Sequence, residues 1–283
     1  MLNGCTYILT VDVGNTFIRF GLFAEDSAAA QECPLATCEI TTPAHITADE
    51  ARMRLVQVMA ALAADAGMPG ALVPAAAVLS CVVPALERPW KAALSRTCTG
   101  RVLTVGPGLK TGMPVRYDDP AEIGPDRIAD AVAARAVYGS PCIVIDLGTT
   151  TNIEVIDAHG TFVGGVIAPG LALGARSLSA AAARLPQVEP SAPTHVIGRN
   201  TREAMRSGVV LGEVARIDGM LDMVLAEMRA TKAAGEGDVP IVITGDDAEA
   251  LAALVGHSLT VDDALTLRGI AELYHINQKL RRV

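Results

Sequence analysis

The chain has 283 residues, of which 51% are hydrophobic and only 3% aromatic, with a formal net charge of −8. That length and apolar content exclude a disordered chain and supply one large domain or two modest ones, with cores of Ala, Val, Leu and Ile. The acidic balance excludes general nucleic-acid binding, which needs a basic face, but leaves room for a nucleotide held by a few backbone N–H groups.

In chain order, Thr6 to Val11 is an apolar strand, and Phe17 to Phe23 alternates as its hairpin partner. The spacing predicts a helix over 51–64, a buried strand over 75–83 and a helix over 86–95. Ala66 to Leu86 carries no charge over 21 residues, long enough to span a bilayer. Gly67, Pro69, Gly70, Pro74 and Pro84 break it into a helix end, a loop and a short strand, so no membrane association is expected. A strand-like Val102 to Val105 leads into Gly106-Pro107-Gly108-Leu109-Lys110-Thr111. A P-loop needs Gly directly before Lys and a helix afterwards. Here Leu109 intervenes and Gly112 and Pro114 follow, so this segment is read as a loop. Further along come a helix over 128–137, strands over 143–145, 152–156 and 162–167, a long helix over 202–228, a strand over 240–243 and a helix from 265 towards 276. Strands alternating with helices make this an α/β protein.

The six cysteines (Cys5, Cys33, Cys38, Cys81, Cys98, Cys142) form no CxxC pair and no Cys/His zinc spacing. They are expected to be reduced and mostly buried, with no metal site built on His or Cys. The N-terminus has no basic region followed by a long apolar core, so a cytoplasmic protein is expected.

The informative feature is a repeat. Asp12-Val13-Gly14-Asn15-Thr16 ends the first strand, and Asp146-Leu147-Gly148-Thr149-Thr150 ends a strand 134 residues later. Glycine lets the backbone turn and approach a phosphate. Backbone N–H groups and Thr hydroxyls then donate to its oxygens, and the aspartate can hold a hydrated Mg²⁺. One such loop is explained by the needs of a hairpin turn alone. Two at matched strand ends point to a duplicated half-domain, with phosphate-gripping loops facing each other across a cleft.

These residues resemble the type III pantothenate kinases. DVGNTFIR (Asp12 to Arg19) is similar to that family's first phosphate motif, and DLGTTT (Asp146 to Thr151) to its second. GLKTGMPVRYDDPAEIGPDR (Gly108 to Arg127) is the most specific part, and GGVIAPG (Gly164 to Gly170) and IGRNT (Ile197 to Thr201) complete an ordered set. The resemblance implies a duplicated ribonuclease-H-like, actin-like ATPase fold, and the repeat puts its half-domains over 1–118 and 119–283. It implies transfer of the γ-phosphate of ATP to the primary hydroxyl of pantothenate, giving 4′-phosphopantothenate for coenzyme A synthesis. Mg²⁺, a monovalent cation (K⁺ or NH₄⁺) and a homodimer come with it. By the same resemblance, Asp12, Val13, Gly14, Asn15, Thr16, Phe17, Ile18 and Arg19 form the first ATP loop, with Asp12 near Mg²⁺ through water, and Thr149 touches ATP. Asp126 is the catalytic base, Tyr117, Gly124, Pro125, Asp126, Arg127 and Thr201 bind pantothenate, and Asp146 holds the monovalent cation.

The residues support some of this by themselves. Gly124-Pro125-Asp126-Arg127 precedes an apolar run of helical period, with Pro125 suited to the first helical position. A carboxylate in that first turn can accept a hydroxyl proton, or simply favour the helix N-terminus. Arg127 offers a forked donor for a carboxylate. Asn200 or Thr201 can cap the helix that follows them. Tyr117 also reads as a half-buried packing residue, Asp146 as a turn residue, and the glycines of 164–170 as close packing. The chain departs from the family pattern at Pro125, Thr150, Asn152, Arg19 and Asp246, the last either repelling phosphate or capping a helix. The alternatives are a kinase of the same superfamily with another small acceptor, or a catalytically weak homologue acting as a ligand-binding regulator.

Overall fold

A computed structural model of the chain describes residues 6–26 and 32–279. Strands β1 (Tyr7–Val13), β2 (Phe17–Ala24) and β3 (Ala36–Thr41) run as an antiparallel meander. Helix α1 (Ala48–Asp65) leads to β4 (Ala76–Cys81), which lies parallel to β1, and α2 (Pro84–Thr97) leads to β5 (Val102–Thr104), parallel to β4. The sheet order is β3-β2-β1-β4-β5. A loop region and a short 3₁₀ turn (Pro120–Glu122) precede α3 (Pro125–Tyr138).

The chain then repeats itself. β6 (Cys142–Leu147), β7 (Thr150–Ile156) and β8 (Phe162–Pro169) form a second antiparallel meander. After α4 (Leu171–Ala181) come α5 (Thr201–Arg206), a π-helical turn (Ser207–Leu211) and α6 (Gly212–Ala230). β9 (Ile241–Gly245) pairs parallel with β6, and α7 (Ala248–Ala252) leads to β10 (Thr260–Val261), parallel to β9. The order β10-β9-β6-β7-β8 is that of the first sheet. Each half is therefore a meander followed by two parallel strands, the ribonuclease-H-like arrangement, made twice. Helix α8 (Leu265–Lys279) closes the chain.

By packing, one compact unit runs to Val137 and takes the chain from Ala264 onward, and the other is Tyr138–Asp263. The boundary expected at 118/119 follows the repeat in sequence. The packing boundary falls later because α8 lies against β1, β2 and β4 and α3 packs on α8, with Gly269 against the Ala129 backbone.

Strand alternation decides which face each residue serves. In the first unit Leu9, Val11, Val13, Ile18, Phe20, Leu22, Ala77 and Leu79 pack with α1 and α2 into one core, with Trp90 tilted against Phe20 at a ring-centroid distance of 5.6 Å. Asp12 and Ser80, at the alternate positions, face the other side of the sheet. In the second unit Ile143, Ile145, Leu147, Ile153, Val155, Ile241 and Ile243 pack with α4, α6 and α7.

Strand β3 and helices α4 and α7 lie outside the sequence-predicted elements, as does the two-residue β10. α1 is defined by a capping box in which the Thr47 side chain accepts from the Glu50 N–H and Glu50 reaches back to the Thr47 N–H. The uncharged stretch from Ala66 divides as expected into a helix end, a loop and β4. No helix among the described residues is long and apolar enough to cross a membrane. Cys142 is buried, Cys38, Cys81 and Cys98 are partly buried and Cys33 is exposed, while Cys5 lies outside the described residues. The expectation of mostly buried cysteines is corrected by their positions on an edge strand, a strand end and a helix end.

Candidate active site

β1 delivers Asp12 to the end of the first sheet, where the chain turns through Gly14, Asn15 and Thr16 into β2. The Gly14 N–H closes the turn on the Phe17 carbonyl at 3.0 Å. Two bonds from the end of β3 hold it: Thr42 Oγ1 donates to the Gly14 carbonyl at 2.7 Å, and the Thr42 N–H to the Thr16 carbonyl at 2.9 Å. Asn15 and Thr16 are exposed at the tip. Val13 and Ile18 are fully buried, so only their backbone groups are available to a ligand. Arg19 sits beside Glu39 on β3, Nε to Oε2 at 3.0 Å.

Asp12 is 8% exposed and lies in register with Ser80 on β4, whose hydroxyl donates to its Oδ1 at 2.8 Å. Burial, and after it the charge of Asp126, pushes the Asp12 carboxyl up to about 6, against the smaller lowering effects of Ser80 and Arg19. Asp126 stands in the first turn of α3, behind Pro125 at the start of the helix. Its Oδ1 accepts from the Arg127 N–H at 2.8 Å. A Cβ on residue 124 would lie 2.3 Å from that same oxygen, so any larger residue there would push the Asp126 carboxyl out of this position. Burial raises the Asp126 carboxyl, and the Arg127 N–H and guanidinium partly offset it. Two carboxyls at the same end of the first unit are thus both held above their ordinary range. Arg127 itself is 5% exposed, and Tyr117 is half-buried.

The pair of carboxyls suits a divalent cation. No cluster of three metal-ligating side chains occurs among the described residues. A small hard cation shared between one or two carboxylates and the phosphates of a nucleotide asks for no more.

In the second unit the loop after β6 is one residue tighter, with Leu147 paired to Thr151 where Val13 pairs with Ile18. Asp146 stands where Asp12 stands, and its register partners are Asn152 on β7 and Thr244 on β9. Oxygen-bearing side chains on one sheet face are a donor set for a cation. Thr150 Oγ1 donates to Asn152 Oδ1 at 3.2 Å, so two of the departures from the family pattern satisfy each other. Asn200, not Thr201, caps α5, accepting from the Glu203 N–H at 3.0 Å, and this leaves the exposed Thr201 hydroxyl unused by the cap. Asp246 is exposed and does not cap α7, whose N-terminal flanking residue is Asp247.

Cys81 follows Ser80 at the strand end, but burial pushes its thiol up to about 11, so it is no nucleophile at neutral pH. The segment 106–111 forms a turn with Gly108 at φ 90° and no helix follows, as the sequence predicts for a loop that is not a P-loop. Sequence reasoning missed Ser80 and Thr42. Ser80 is a lone hydroxyl near the end of β4, and its part in the site shows only in its register with Asp12.

The type III pantothenate kinase family model matches residues 8–223. The chain is 39% identical over 274 residues to type III pantothenate kinase 2 of Symbiobacterium thermophilum, covering 96% of this chain and 97% of that one. It is 37% identical over 279 residues to the type III pantothenate kinase of Koribacter versatilis, covering 97% of each. This chain belongs to the type III pantothenate kinases. Type III pantothenate kinases use ATP with a divalent metal to phosphorylate pantothenate on the way to coenzyme A, and this chain is an enzyme of that kind. Two solved structures share the fold. They are a Baf family protein from Campylobacter jejuni (TM-score 0.57, 18% identity, 96% of this chain and 99% of that one) and the ethanolamine utilization protein EutJ from Carboxydothermus hydrogenoformans (TM-score 0.53, 16% identity, 94% and 89%).

Proposed function

We propose that this pantothenate kinase carries out its transfer with Asp126 as the general base. The observation that carries the reading is the placement of Asp126: a half-buried residue whose carboxyl lies over Gly124, at a helix start, close enough to Asp12 for their charges to interact. Phosphoryl transfer asks mainly for positioning and charge neutralisation. A base near the acceptor hydroxyl then takes its proton as the oxygen attacks the γ-phosphorus, and ADP leaves. Burial makes Asp126 a stronger base than an exposed aspartate, which suits that task.

Asp12 holds Mg²⁺ through water, and the metal, when bound, neutralises charge on the phosphate oxygens. Gly14, Asn15 and Thr16, with the backbone of Val13, Phe17 and Ile18, cradle the phosphates, and Arg19 and Thr149 add contacts to ATP. Tyr117, Gly124, Pro125, Arg127 and Thr201 bind pantothenate, with the Arg127 fork on its carboxylate. Asp146 holds K⁺ or NH₄⁺ beside Thr244 and Asn152. The enzyme works as a homodimer in the cytoplasm.

The test is an acceptor panel with Mg²⁺-ATP and K⁺, in which phosphorylated product is identified by mass spectrometry. Phosphate on the primary hydroxyl of pantothenate, and none on sugars or acetate, is the expected result. ATP consumption with a sugar or acetate in place of pantothenate would sink the substrate assignment.

A further inference from the structure

Behind the second phosphate loop lies an ion pair on α6 that the catalytic reading does not use. Glu213 is 4% exposed, on the buried side of α6 among Val210, Val214 and Ile217. Its Oε1 accepts from Thr151 Oγ1 at 2.6 Å, and its Oε2 is held by Arg216. The Arg216 guanidinium also donates to the Pro169 carbonyl.

Those two attachment points bracket the loop. Thr151 pairs with Leu147 across β6 and β7, and Pro169 pairs with Thr150 across β7 and β8. Just past Pro169, the Gly170 N–H donates to the Thr149 carbonyl at 3.1 Å. A Cβ on residue 170 would lie 2.3 Å from the Gly148 carbonyl oxygen and 2.9 Å from that of Thr149. Any shift of Pro169 is therefore passed to the Gly148 and Thr149 peptides. The π-helical turn just before α6 is wider than an α-helix, its bonds running from i to i+5, and such turns recur at functional sites. A buried carboxylate is costly unless paired, and an apolar side chain at 213 would fit its neighbours without that cost. The work of Glu213 is in the bonds it makes.

We propose that Glu213 and Arg216 are positioning residues for ATP. They fix Thr151 and Pro169 and so hold the Gly148–Thr149 backbone in the conformation that receives the nucleotide. This rests on the reading that the loop from Asp146 to Thr151 contacts ATP, which Thr149→Val tests separately.

The experiment compares Arg216→Met, Arg216→Lys, Glu213→Gln and Thr149→Val. ATP binding is measured by calorimetry without pantothenate, together with KM for each substrate and the melting temperature. Arg216→Met is expected to weaken ATP binding and raise KM for ATP roughly tenfold or more, by analogy with the loss of groups that orient a ligand's direct contacts. KM for pantothenate should stay within about twofold. Arg216→Lys, which keeps the charge but not the fork, should recover part of the loss. ATP affinity within about twofold of wild type in both Arg216→Met and Glu213→Gln, while Thr149→Val is impaired, would overturn the positioning role alone. An unimpaired Thr149→Val would overturn the loop reading and this proposal with it. A rise in both KM values that tracks falling melting temperature would reduce the pair to a structural one. Arg216 is a third exposed, and the lysine variant keeps the test decisive should the methionine variant fail to fold.

Discussion

Asp12 is stable in its site only at a cost. Its carboxyl titrates at about 6 in the folded protein, above its ordinary 3.8, chiefly because burial penalises the charge. Folding thus favours the protonated form. That contribution is fully present below the unfolded value and is lost as pH rises through about 6. At pH 8 the ionised carboxylate is a burden of roughly 3 kcal/mol at most. Asp12→Asn, which never carries the charge, should melt several degrees higher than wild type at pH 8 in EDTA, with the gap closing towards pH 5. A gap that is the same at both pH values would contradict this account of Asp12. Such a cost fits the proposed place of Asp12 beside a cation, whose charge would offset it. At this scale the sequence was informative where chemistry and geometry coincide: Asp12, Asp126 and Gly124 stand out by motif. Ser80 did not, because a small hydroxyl in a strand of alanine, valine and leucine looks like packing until its register with Asp12 is seen.

At the scale of elements, the loop from Asp12 to Phe17, the proposed phosphate loop, depends on a strand that periodicity did not flag. β3 is six residues of edge strand with alternate positions only partly buried, so its apolar signal is weak. Yet its end supplies Thr42, and Thr42 carries both bonds that hold Gly14 and Thr16 from that side. Thr42→Val removes the hydroxyl while keeping the shape. It should raise KM for ATP several-fold, in line with about 1 kcal/mol for one hydrogen bond, and leave KM for pantothenate unchanged. Thr42→Ser should restore the wild-type value. Equal KM for ATP in the valine variant would show that the loop holds its form without β3. The helices α1, α3 and α8 were legible to within a few residues, and the single helix expected over 202–228 is α5, the π-helical turn and α6 in succession. α4 was not legible, because Leu171 to Ala181 is built largely of Ala, Gly and Ser and buries only Leu171 and Ala175.

At the scale of the whole molecule, duplication is the main fact. Two sheets of one topology each end a first strand in Asp-x-Gly-polar-Thr, and both aspartates fall on the sheet face away from the larger helical core. The repeat was visible in sequence because a tight turn after a buried strand tolerates few residue types. The packing boundary was not, because it depends on α8, encoded last, lying on strands encoded first. The two loops have also diverged. The first has the neighbouring Asp126, and the second has Asn152 and Thr244 beside its aspartate. The account of the enzyme rests most on that Asp126. The measurement that tests it most directly is turnover by Asp126→Asn in a coupled assay of ADP release, with ATP binding followed by calorimetry in parallel. The account predicts that pantothenate-dependent turnover falls by about 10²-fold or more while ATP affinity stays within a few-fold of wild type. Turnover within a few-fold of wild type would contradict Asp126 as the base.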